Sequence, residues 1–333
     1  TQANEALRRN ETVASVLQLQ AETRCSNTKK AYDQRQSKFI QFCNRKQYAS
    51  GIYVTEEKII DFLKEVVVKD GNTRRTQRGE LQANGKPYPL SMSSIDQYVK
   101  AVVDLYAVQK STSVGLINFE NPRGSLLKTY LRALRQQEAD RMRNSYEDRG
   151  AGTLQDGYTP DELIRVSMYY FTSASESMMR DRLVFLMQHM MLLRGESTRK
   201  MDLTDLFTLD LKDEGYSECP ALVLLMREGK TNYTGRSEDA ATIRHKDYKI
   251  CTFGALAFYF FYRWQIMNES FPDLSRNEFW FDIKVIKGNK GSTNEIDYST
   301  QYKSVCKAFD ACGINSQKKI HAGRGCGARH AEI

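Results

Sequence analysis

Three side chains here have the types and spacing to hold a phosphodiester. His321 and Arg324 stand three apart in His321-Ala322-Gly323-Arg324, and far upstream Arg194 follows the apolar run Leu183–Leu193. A phosphodiester shares one negative charge between two non-bridging oxygens, and reaction at phosphorus raises that charge. Arginine suits it, because its planar fork donates two parallel hydrogen bonds and keeps its proton. On a helix, His321 and Arg324 share a face, and a helix start adds free N–H groups and a favourable dipole. A guanidinium held beside a buried helix must be answered by a protein carboxylate or by a ligand anion. Lys230, in Glu228-Gly229-Lys230-Thr231-Asn232, is a further cation in a turn. Each residue also has an ordinary reading. Arg194 pairs with Glu196 or Asp202, His321 is a surface histidine, and Lys230 is a solvated turn lysine. Glycines 323, 325 and 327 mark a loop in place of a helix.

The elements that must position these residues fall into two groups. At 333 residues and 41% hydrophobic content, the chain has the material for two cored domains, read as 1–149 and 150–333. In the first, Ser26 caps a helix through Phe39, Phe42 and Cys43. Thr55 caps a second, and Ile95–Tyr106 forms a third. Pro122 opens a fourth that ends near Arg149. Asp70–Pro89 reads as a basic loop. Residues 150–157 read as a linker, after which Thr159-Pro160-Asp161-Glu162 is a helix start. Leu183–Leu193 is apolar on every side and reads as a central buried helix. Leu203–Leu211 and Ala221–Met226 read as strands, with a hairpin turn at Arg227–Gly235. Thr252 caps a buried helix through Trp264, and Ser299–Cys312 is a helix ended by Gly313.

Composition narrows the partner. The formal charge of +8 favours a polyanion. Seven cysteines without a C-x-x-C pair argue against a disulfide framework or a zinc finger, and fit a reducing compartment. The opening residues do not read as a signal peptide, and the longest apolar runs are too short to span a bilayer, so no membrane partner is expected.

The order Arg194, Lys230, His321-x-x-Arg324 resembles that of the tyrosine recombinases. The box His321–Ala331 is similar to that of the Cre-type integrases. Thr28-Lys29-Lys30-Ala31-Tyr32, with Phe39 and Phe42-Cys43, resembles the first helix of the family's core-binding domain. The resemblance implies a mainly α fold with a small β-sheet in the second domain, arranged as a two-domain, C-shaped clamp on duplex DNA. It implies that Arg194 and Arg324 hold the scissile phosphate, His321 donates to it and Lys230 protonates the leaving oxygen, without metal or cofactor. A tyrosine would attack phosphorus to give a 3′-phosphotyrosine; that tyrosine and a third His or Trp fall past residue 333 in this register. Ser197 stands where the family usually has an acid.

Leu193–Lys200, Gly229–Asn232 and Cys251–Tyr262 resemble a fungal branch of the family. It holds active Crypton-type recombinases of mobile elements and DNA-binding centromere subunits of the budding-yeast kinetochore. The second kind implies a non-catalytic scaffold at the centromere in the nucleus. Its partners would be duplex DNA and other kinetochore proteins, with a homodimer formed through segments outside this chain. The expected DNA contacts are Arg74, Arg75, Arg78, Lys86, Arg194, Lys230, Arg236, Arg244, Lys246, His321 and Arg324. A truncated active recombinase is the alternative, and a helical adaptor that binds no nucleic acid is the third reading.

Overall fold

The computed structural model describes residues 2–82, 84–112, 120–144, 156–214, 218–226 and 236–331. They divide into two compact units, Thr1–Tyr146 and Glu147–Ile333.

Unit 1 is helical: α1 (Gln2–Thr23), α2 (Ser26–Lys46), α3 (Glu56–Phe62), α4 (Thr73–Gln77), α5 (Met92–Thr112) and α6 (Ser125–Asn144). Thr55 caps α3 by accepting from the Lys58 amide at 3.4 Å. The helix then continues as π-helical turns over Leu63–Val68. Its core is a knot of aromatic rings. Phe62 meets Phe39 edge-on at 5.4 Å and Phe42 at 5.6 Å, with Ile59, Val99, Val102 and Leu127 buried around them. Each such side chain contributes about 1.5–3 kcal/mol by leaving water. The fourth helix begins at Ser125, three residues after Pro122. Its free first-turn donors are met from outside, where Glu56 Oε1 accepts from the Leu127 amide at 2.7 Å. The basic stretch 70–89 is not wholly loop, since Asn72 caps the short α4 through the Arg75 amide at 3.3 Å.

Unit 2 is built around α8 (Glu176–Met190), with Met179–His189 buried on every turn. Around it lie α7 (Pro160–Thr172), α9 (Gly195–Lys200), α10 (Thr252–Phe261), α11 (Asn277–Trp280), α12 (Tyr298–Ala311) and α13 (Lys319–His330). Thr159 starts α7 with a full capping box and Pro160 in the first turn. Strands β1 (Leu206–Leu211), β2 (Cys219–Met226) and β3 (Glu238–Ile243) form an antiparallel sheet in that order, with Leu206 opposite Leu224 and Ala221 opposite Ile243. A short ribbon pairs β4 (Lys287–Gly288) with β5 (Gly291–Glu295). The cap of α10 is Cys251 in place of Thr252: its sulfur accepts from the Gly254 amide at 3.4 Å. The central helix also stops at Met190, short of Leu193.

Among the described residues the fold is mainly α, with a small three-stranded sheet and a two-stranded ribbon in its second unit. All seven cysteines are free. Among the described residues no cluster could hold a metal ion, and no helix is long and apolar enough to cross a membrane.

Candidate nucleic-acid interface

A close approach of side chains to one backbone glycine places the two ends of the phosphate-binding set. Gly195, the first residue of α9, is buried. A Cβ there would stand 2.5 Å from Ile320 Cγ2 and 3.2 Å from both Gln188 Nε2 and Gln301 Oε1. Only glycine allows this contact. Arg194 precedes Gly195 and His321 follows Ile320, so the first arginine and the histidine leave the chain from either side of one packing contact. Two glycines of the late box, Gly323 and Gly327, serve packing too. Gly323 faces Gln188, and a Cβ added to this glycine would lie 3.0 Å from the Gln188 Cβ. A Cβ on Gly327 would overlap the His189 carbonyl and come 2.8 Å from Leu192. Small side chains let α13 lie directly on α8, and the box is helix, not loop.

Arg194 is the N-cap of α9, in extended backbone at φ −75° and ψ 149°, and its carbonyl accepts from the Thr198 amide at 3.1 Å. Its side chain is half-buried; His321 and Arg324 are exposed. Of the two carboxylates weighed as partners of Arg194, Glu196 pairs with Lys200 at 2.9 Å and Asp202 with Lys284 at 2.6 Å. The Lys200 pair, beside Arg199, holds the Glu196 carboxyl below its usual range.

Buried donors gather around Gly195. Arg199 Nη1 donates to Gln301 Oε1 at 2.6 Å, which fixes the Gln301 amide with Nε2 as a donor. That Nε2, Gln188 Nε2 and Arg199 Nε are all buried without an acceptor. A surplus of buried donors is the polarity of an anion site. Arg199 also lies 5.5 Å over the Tyr298 ring, which stacks on Tyr302 at 6.1 Å. Sequence reading missed Gln188, Arg199 and Gln301, because a glutamine in an apolar run, an arginine in a polar stretch and a glutamine in a polar helix announce nothing until the fold gathers them.

A second constellation holds α13 from behind. Asp156 accepts from Ser316 Oγ at 2.7 Å and from the Gln317 amide at 3.2 Å. The Tyr158 amide donates to Cys326 Sγ at 3.2 Å, and the Tyr158 hydroxyl bonds His189 Nδ1 at 3.0 Å. Burial, and then the nearby His330, push His189 down to about 4, so it is neutral at ordinary pH.

The other expected contacts are scattered. Arg236, Arg244 and Lys246 are exposed at the ends of β3, and Arg236 pairs with Glu238 at 2.6 Å. Lys230 lies outside the described residues. In unit 1, Arg74, Arg78 and Lys86 are exposed. Arg75 is turned onto its own unit, bonding Glu80 at 2.7 Å and lying 3.6 Å over the Tyr88 ring. A denser set of cations, not foreseen, lines a groove of about 500 Å³ between α5 and α6: Lys100, Arg123, Lys128, Arg132 and Arg135. Its lining carboxylate, Asp96, is engaged by Arg135 at 3.1 Å. Lys128, Arg132 and Arg135 recur at i, i+4 and i+7, a visible signal that reading α6 by its apolar positions alone passes over.

The model of the family described as centromere DNA-binding protein complex CBF3 subunit, domain 2, matches residues 111–333. Among solved structures, the site-specific recombinase XerH bound to its difH substrate, in a pre-cleavage complex, is similar at 15% identity with a TM-score of 0.52, over 91% of this chain and 68% of that one. A post-cleavage XerH complex matches at 14% identity and a TM-score of 0.45, over 81% of this chain and 57% of that one. Ndc10 of budding yeast, described as a platform for inner kinetochore assembly, matches at 11% identity and a TM-score of 0.33, over 93% of this chain and 68% of that one. The pre-cleavage XerH likeness carries the fold: a tyrosine recombinase-like architecture. No curated protein matches the chain.

Proposed function

This chain belongs to the family of the centromere DNA-binding protein complex CBF3 subunit, and from that premise we propose that it binds duplex DNA mainly through the phosphate backbone, as a non-catalytic, recombinase-like scaffold of the inner kinetochore. It acts in the nucleus, at the centromere, among the other proteins of that complex. The observation that carries this reading is the contact of Gly195 with Ile320, which sets Arg194 beside the helix of His321 and Arg324 amid donors that lack acceptors. Arg236, Arg244, Lys246 and Lys230, and in unit 1 Arg74, Arg78, Lys86 and the α5–α6 groove, supply further phosphate contacts. Arg75 joins them only by leaving Glu80. Phosphate contacts fix position without reading sequence, so preference among sequences is weak.

Fluorescence anisotropy on a random and an AT-rich duplex across a salt series tests the proposal. The expected result is binding with a steep salt slope and similar affinity for both. Arg324→Ala weakens both about equally and lowers the slope by about one. No binding at low salt, or an effect confined to one sequence, overturns the reading.

The retained Arg194, Lys230, His321 and Arg324 favour a second reading, an active recombinase. Ser197, in the place of the usual acid, favours the non-catalytic one. The full-length protein on a nicked trapping duplex separates them. A covalent protein–DNA adduct, lost when the attacking tyrosine is replaced, establishes the recombinase.

A further inference from the structure

Unit 2 carries one surface whose chemistry is wrong for DNA. Between the end of α10 and β4, Ile266, Met267, Phe271, Leu274, Phe279 and Phe281 are each more than half exposed, Phe271 to 63%. Every residue from Asp273 to Phe279 is exposed, as is Asp282. Soluble chains rarely leave so many large apolar side chains of one short segment in water without a partner. The segment is mounted firmly. Trp264 packs on Phe260 at 4.5 Å and on Phe271 at 4.9 Å. Beneath it the fully buried Arg263 bonds Glu269 Oε2 at 3.0 Å and the carbonyl of Lys284 at 2.8 Å.

Charge identifies what covers it. Among the apolar side chains stand Asp273, Glu278 and Asp282, against Arg276 alone, on a chain of formal charge +8. The next two lysines in sequence are engaged, Lys284 with Asp202 at 2.6 Å and Lys287 with Glu176 at 2.9 Å. Phosphates are repelled here. A symmetric contact between two copies would set these carboxylates against themselves. We propose that residues 266–282 form a docking surface for a basic, apolar segment of another protein, an amphipathic helix with lysine or arginine beside its apolar stripe. The proposal stands independently of DNA binding.

The probe is a short fluorescein-labelled synthetic peptide with leucine and lysine at helical spacing, against a control with every lysine changed to glutamate. Because the chain as a whole is cationic, non-specific attraction works against the lysine peptide. The intact chain is expected to bind the lysine peptide saturably and the glutamate control at least about tenfold more weakly. The triple variant Asp273→Lys, Glu278→Lys, Asp282→Lys reverses that preference with an unchanged melting temperature and no loss of DNA affinity. Phe271→Ser with Phe279→Ser weakens both peptides. No binding, equal binding of the two peptides, or lysine-peptide binding that survives the triple variant overturns the proposal. So does a dimer in sedimentation that the double phenylalanine variant converts to monomer, since a second copy would then be the occupant.

Discussion

At the scale of single residues, His189 is a neutral imidazole folded into the joint that holds α13. Burial and His330 depress its pKa from 6.5 to about 4. Between those values the unfolded chain binds a proton that the folded chain refuses, so stability falls as pH drops through that window and is complete above it. His330 is depressed too, by burial first and then by Arg329, and adds in the same direction. The expected result is a melting temperature that is steady near neutrality and declines from about pH 6.5 towards 4. The full effect of His189 is up to about 3 kcal/mol. In scanning calorimetry, His189→Gln makes that decline shallower, whatever it does to the value at neutral pH. An unaltered slope would mean that His189 is protonated in the folded chain. Arg194, His321 and Arg324 are legible in the sequence because their types and order are unusual together. His189 and Tyr158 are not, because a histidine in an apolar run and a tyrosine after a glycine have no meaning until the fold sets them 3.0 Å apart.

At the scale of elements, the decisive contact is α13 on α8. A helix with glycines at 323, 325 and 327 is poor by propensity, and a loop is the natural reading of it. Packing overrides propensity here, because two of those glycines are what let the helices touch. Gly327→Ala therefore forces a methyl into the His189 carbonyl and should cost about 1–3 kcal/mol or more. Gly325 has nothing within 4 Å of a Cβ, and Gly325→Ala should stabilise by about 0.5–1 kcal/mol through propensity alone. Chemical denaturation of both variants decides the matter, and similar effects of one sign would contradict this account. Elsewhere the helices with clean apolar stripes and caps were legible to within a few residues, as at Thr55 and Thr159. Strand β3 was not, since Glu238-Asp239-Ala240-Ala241-Thr242-Ile243 has few β-formers and gains its place by pairing with β2.

At the scale of the whole molecule, the excess of positive charge is concentrated. The α5–α6 groove holds five cations and one engaged carboxylate, whereas residues 273–282 are acidic. The two surfaces should answer to different partners. Changing Lys100, Lys128 and Arg132 together to alanine should lower the salt slope of DNA binding by about three, since each phosphate contact contributes about 0.9. Adding Arg324→Ala should lower it by about one more if both units touch the same duplex. A triple variant with an unchanged slope would remove the α5–α6 groove from the interface. Melting curves should stay where they are, because all four side chains are exposed.

Asp156–Tyr158, the first described residues of unit 2, meet the back of α13. The two hydrogen bonds received by Asp156 and the rings around Tyr158 are an anchorage. In mechanical terms, a pull transmitted along the chain between the units is taken up first by that anchorage. It passes next into the helix bearing His321 and Arg324, before it reaches the sheet or the outer helices. The element that would grip phosphate is also the element on which tension lands.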